Sequence, residues 1–131
     1  MKKSKKSIVD KYHNDIYEIE IIVANKYTTL EQLRKKYVYY DGVILDDGIK
    51  DTTACVCRCK DIKTGEHCLV VKFNIDYTND ASFLGTINHE ATHVALDIYE
   101  LIEQRVDFSS SEPFCYLVEW ATRCIYKTLI K

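Results

Sequence analysis

Residues 67–104 read HCLVVKFNIDYTNDASFLGTINHEATHVALDIYELIEQ, and two periodicities meet inside them. From His67 to Ile75 the apolar residues Leu69, Val71, Phe73 and Ile75 recur at every second position, which gives a strand one apolar face. Past Asn79 and Asp80, either of which can cap a helix, the spacing changes to threes and fours. Leu84, Ile87, Ala91, Val94, Ala95, Ile98, Leu101 and Ile102 then form one stripe of a helix expected over residues 81–104.

Upstream, Thr52–Lys60 is the partner run for a hairpin, with Asp61–Glu66 as its loop. Tyr17–Ala24 (YEIEIIVA) has strand character, and so does Val38–Leu45, with Gly42 placed for a bulge. Thr28 or Thr29 caps a short helix over Leu30–Tyr37, with Glu31 in its first turn. Downstream, Ser109–Ser111 form a loop and cap, and Pro113 suits the first turn of a helix reaching Leu129. Strands segregated from two long helices imply an α+β fold with an antiparallel or mixed sheet. Residues 1–8 read as a basic, disordered tail and residues 9–131 as one domain, a division that 131 residues without repeats or linkers support.

The formal net charge of −2 gives no electrostatic case for nucleic acid or an anionic membrane as partner. No segment is long and apolar enough to span a bilayer, and MKKSKKSIVDKYHND lacks the apolar stretch of a signal peptide. The expected location is therefore cytoplasmic, in a bacterial or phage-infected cell. In that setting the six cysteines are expected to be free and mostly buried thiols. Cys55, Cys57 and Cys59 alternate on one strand face near Cys68. Tetrahedral metal sites come from tight turns rather than flat strands, so these four read as small buried hydrophobes. Phe114, Trp120 and Tyr126 read as core of the last helix.

His89-Glu90-Ala91-Thr92-His93 is the chemical signal. Histidines four apart project from one helix face, so two ring nitrogens can reach one Zn2+ ion, while Glu90 can reach a metal-bound water as general base. The bland reading is a pair of exposed helix histidines. A catalytic zinc needs a third ligand, and no histidine follows His93. Leu96 and Tyr99 stand where a metzincin would place Gly and His, so a carboxylate must serve. Glu112, with eighteen residues between it and His93, is the best placed. Asp97 and Glu100 share the histidines' helix, and Asp97 suits a hydrogen bond to a ligand histidine instead.

This arrangement resembles the gluzincin metallopeptidases, and especially the M1-type aminopeptidases. Ser111–Glu119 is similar to their glutamate helix, with Ser111 and Pro113 replacing the usual Asn and Gly, and with Glu119 at a second acidic position. In size the chain is similar to minimal gluzincins and to short HExxH proteins of phages and mobile elements. The resemblance covers roughly residues 67–129 and lacks the aminopeptidases' glycine-rich motif. It implies a zincin-like sheet packed on an active-site helix and a glutamate helix, with Cys68–Ile75 as the edge strand that receives a peptide. It also implies a zinc peptidase acting on a peptide or protein substrate. His89, His93 and Glu112 would hold the metal, Glu90 would move the proton, and Asp97, Glu119 and Tyr116 would support them; Tyr77 rivals Tyr116 as oxyanion donor. The alternative is a zincin-fold binding protein of a phage or mobile element without catalysis, with structural zinc or no metal.

Overall fold

The computed structural model describes residues 5–131, so the first four residues of the expected tail lie outside the described residues. The chain runs through strands β1 (Val9–Asn14) and β2 (Ile19–Ala24), helix α1 (Leu30–Arg34) and strand β3 (Tyr37–Tyr39). A 3-10 turn at Asp47–Asp51 leads to β4 (Ala54–Asp61) and β5 (His67–Phe73), and helices α2 (Ala81–Leu101) and α3 (Glu112–Leu129) complete the fold. The five strands form one mixed sheet in the order β1-β2-β5-β4-β3. Among the described residues only the β2–β5 pair is parallel.

Composition explains the order. β2 (IEIIVA) and β5 (HCLVVKF) are near-continuous apolar runs, as strands covered on both faces must be, and they occupy adjacent inner positions. On one face, Ile21, Val23, Leu69, Val71 and Phe73 pack against Phe83, Ile87, Ala91, Val94 and Ile98 of α2 and Leu117, Ala121 and Ile125 of α3. On the other, Ile22, Val70, Cys59 and Cys68 lie under Leu33, Tyr37, Leu45 and Ile49. An α+β domain with a mixed sheet is as the strand and helix patterns imply. No feature specific to the zincin fold accompanies it among the described residues. The strand expected to receive a peptide at the sheet edge is instead enclosed between β2 and β4.

Three local expectations shift. β1 was not expected, because VDKYHN has charge where a half-buried strand would carry an apolar face. It forms as an edge strand whose Asn14 side chain accepts from the Ile16 and Tyr17 N–H groups and turns the chain into β2. Of the segment read as strand over Val38–Leu45 only Val38 and Tyr39 are strand, in β3, which takes in Tyr37 as well. The segment's apolar Val43 and Ile44 are exposed, whereas Leu45 is buried against the sheet. The short helix ends at Arg34, and α2 ends at Leu101, just before Glu103 adopts a positive φ of 58°. Among the described residues no helix is long and apolar enough to cross a membrane.

Candidate functional site

Asp80 begins α2 by accepting from the Phe83 N–H at 2.8 Å. At about 100° per residue, the helix then presents three distinct surfaces. Ala91, Ala95 and Tyr99 fall on the flank of α3, and the Tyr99 ring sits 5.2 Å from that of Phe114. Glu90, His93 and Asp97 fall on the opposite flank, toward β4. There Arg58 reaches across to Asp97 at 3.2 Å and Glu100 at 2.6 Å. His89 points outward between them.

The two imidazoles do converge, with their Nε2 atoms 3.2 Å apart and ring centroids 4.8 Å apart. Glu90 is 5% exposed, its Oε1 is 3.9 Å from His89 Nε2, and its Oε2 is buried without a hydrogen-bond partner. Burial pushes the Glu90 carboxyl up, and any positive charge on His89 and His93 pulls it back down. The histidines line an open groove of 390 Å³ with Gly85, Asn88, Thr92 and Leu96. Every lining residue belongs to α2, so the groove is the outer surface of one helix and not a cleft between elements.

Glu112 does not join them. It opens α3 with no hydrogen bond or ion pair to either imidazole. Phe114, two residues after it, is level with Tyr99. Tyr99 lies six residues beyond His93, about 9 Å along the axis. Glu112 is thus displaced along α2 and starts the helix on its far flank. Among the described residues, no group of three His, Cys, Asp or Glu is arranged to hold a metal ion. The supporting residues are engaged elsewhere or solvated: Asp97 with Arg58, and Glu119 with Arg123 one turn on in α3. Tyr116 is exposed. Tyr77 packs edge-on against Phe83 and Tyr126, consistent with a structural role.

What strand and helix periodicity did not disclose is the free edge beside this site. β3 pairs only with Cys59, Lys60 and Asp61 of β4. The Arg58 carbonyl accepts from the Tyr40 N–H at 3.0 Å, on the side away from β5. Backbone direction alternates along a strand, so Val56 and Ala54 turn their N–H and C=O groups the same way, and among the described residues no strand lies alongside them. Both are half-buried, with their side chains against the α2 core. No pattern within β4 marks this edge as free, because it depends on how short β3 turns out to be.

The chain matches no family model, no characterised protein and no solved structure. With two imidazoles converging and no third ligand, the expected gluzincin kinship is corrected: neither the zinc cofactor nor the peptidase activity assigned from His89, Glu90, His93 and Glu112 stands.

Proposed function

We propose that residues 9–131 act as one protein-binding domain without catalysis, which receives an extended segment of a partner protein along the free edge of β4. The observation that carries this reading is the outward-turned, unpaired backbone of Ala54 and Val56. A partner strand would recover the hydrogen bonds that this edge lacks. Glu90 and His93 stand on the flank of α2 next to that edge, and His89 points outward beside them. In this reading they select the partner's side chains: Glu90 accepts from a donor, and the imidazoles form a polar rim.

The Val56 N–H points away from β5, so Val56→Pro removes an edge donor and leaves the β4–β5 ladder intact. Peptides selected from a random displayed library should bind the parent chain and slow amide exchange at Ala54 and Val56. Val56→Pro should weaken them at least about tenfold, a change of about 1.4 kcal/mol. Protection elsewhere, or equal binding by Val56→Pro with the fold retained, would defeat the reading. Turnover of any bound peptide that disappears in Glu90→Gln would remove its non-catalytic half.

A further inference from the structure

The face of β4 turned away from α2 and α3 carries Cys55, Cys57 and Cys59. Two of these sulfurs, Cys55 Sγ and Cys57 Sγ, lie 3.8 Å apart. Directly across the ladder from Cys55 is Lys72, which is 3% exposed. Its ammonium donates to the Asn25 carbonyl at 3.0 Å, the Phe73 carbonyl at 2.8 Å and Asn74 Oδ1 at 2.9 Å. Burial holds the Lys72 ammonium down to about 8, so at neutral pH it still carries most of its charge, and a cation beside a pair of thiols favours a thiolate. Such a setting differs from that of the other buried thiols. Cys59, Cys68 and Cys124 are each at most 5% exposed, and burial pushes them up to about 12, about 12 and about 11.

We propose that Cys55 and Cys57 form a redox-active dithiol that reduces a hydroperoxide and closes into a disulfide within the strand. Cys55 is the attacking sulfur. A hydrogen bond from the Cys57 thiol holds the Cys55 thiol below its ordinary value. Thr52 and the Lys72 charge act in the same direction, against burial and the Glu90 carboxylate. Cys57 is pushed upward by donating that bond and by burial, so one proton rests on Cys57 while Cys55 carries the negative charge. Both residues are half-buried rather than sealed.

In the first step the Cys55 thiolate attacks a peroxide oxygen. The O–O bond breaks, the departing oxygen takes a proton and leaves as an alcohol or water, and Cys55 becomes a sulfenic acid. In the second, the Cys57 sulfur attacks that of Cys55. The S–O bond breaks, and hydroxide leaves with the Cys57 proton as water. Two thiols lose two electrons and the hydroperoxide gains them. Residues two apart on a strand have Cα atoms about 6.7 Å apart. That is inside the upper limit of about 6.8 Å for a bridge. The remaining contraction must pucker β4 at Cys55–Cys57 and loosen its pairing with Lys72 and Val70 of β5, which is eased because no strand of the described residues holds its outer edge there. Fixed near that limit, the bridge should be readily reduced by cellular thiols.

The proposal does not depend on the binding reading. Trypsin releases both thiols on one peptide, DTTACVCR at residues 51–58, and Cys115, an exposed thiol on α3, is an internal comparator. The intact chain is treated with hydrogen peroxide at neutral pH, quenched with an alkylating reagent and mapped by mass. The 51–58 peptide should escape alkylation at both sulfurs and appear about 2 Da below its unalkylated dithiol mass, the loss of two hydrogens, about threefold or more faster than Cys115 oxidises. Dithiothreitol should reverse the change. In Cys57→Ser the reaction should stop at a dimedone-reactive sulfenic acid on Cys55. Oxidation of Cys55 no faster than Cys115, or conversion of residues 51–58 to sulfinic acid with no bridge, would overturn the proposal in the parent chain alone, whether or not the variant folds.

Discussion

Glu90 is the residue that most needs an explanation. A carboxylate that is 5% exposed, with one oxygen lacking any partner, costs folding energy wherever it is charged. Its folded pKa lies above its unfolded value, so the folded chain holds this proton more tightly. The cost is therefore complete above the folded pKa and vanishes as pH falls below the ordinary carboxyl value. Glu90→Gln should raise stability at pH 7 by about 1 kcal/mol, and the gain should shrink toward nothing in acid. Urea unfolding at pH 7 and pH 4 measures this; a destabilised variant at pH 7 would show that the charge has a stabilising partner. The motif itself was legible as HExxH, and the convergence of His89 and His93 follows from their spacing. The burial of Glu90 was not legible, because it depends on which flank of α2 meets β4.

At the scale of elements, caps could be read and ends could not. Thr29 satisfies a full capping box: its hydroxyl accepts from the Gln32 N–H at 3.2 Å, and Gln32 Oε1 accepts from the Thr29 N–H at 2.7 Å. A helix of five residues has little propensity to persist alone. Thr29→Ala should cost about 1 kcal/mol and speed amide exchange in residues 30–34 first. Unchanged exchange there would place the helix's support in Leu33 packing alone. Strand β1 was missed for a physical reason. Its sequence is written for an edge, where Asp10, Lys11 and His13 deter pairing with other chains, and period-two apolar patterning is weak in such strands.

The whole molecule is closed by a link across most of its length. Tyr12 and Thr128 place their hydroxyls 2.7 Å apart, Thr128 donates to Asp10 at 2.8 Å, and Lys131 reaches Asp10 at 2.7 Å. Partial burial pushes the Asp10 carboxyl up. Hydrogen bonds from Lys131 and Thr128, with the Lys131 charge, outweigh it and hold the carboxyl below its usual value. A depressed carboxyl stabilises the fold above the unfolded value near 3.8, and this contribution is lost as pH falls through the folded value. Asp10→Asn should therefore cost up to about 1 kcal/mol at pH 7, given that the pair is partly solvated. The difference from the parent should narrow below pH 3.8. A penalty that stays constant from neutral pH into acid would assign the link to packing of Tyr12 and not to charge.

The amino-acid sequence by itself determined the α+β class, the two long helices, the hairpin of β4 and β5 and the pairing of His89 with His93. Each depends on spacing along the chain, and local geometry translates spacing directly into faces and caps. Only the tertiary structure decided where Glu112 lies, because that depends on the angle and level at which α3 docks against α2 after a loop. It also showed that Cys68–Phe73 is an inner strand and that Ala54–Val56 is a free edge, since sheet order is a property of pairing partners and not of any one strand. What reads along the chain as a four-residue metal site is, in space, an exposed histidine pair beside a buried acid on one helix, with the glutamate at the start of the next.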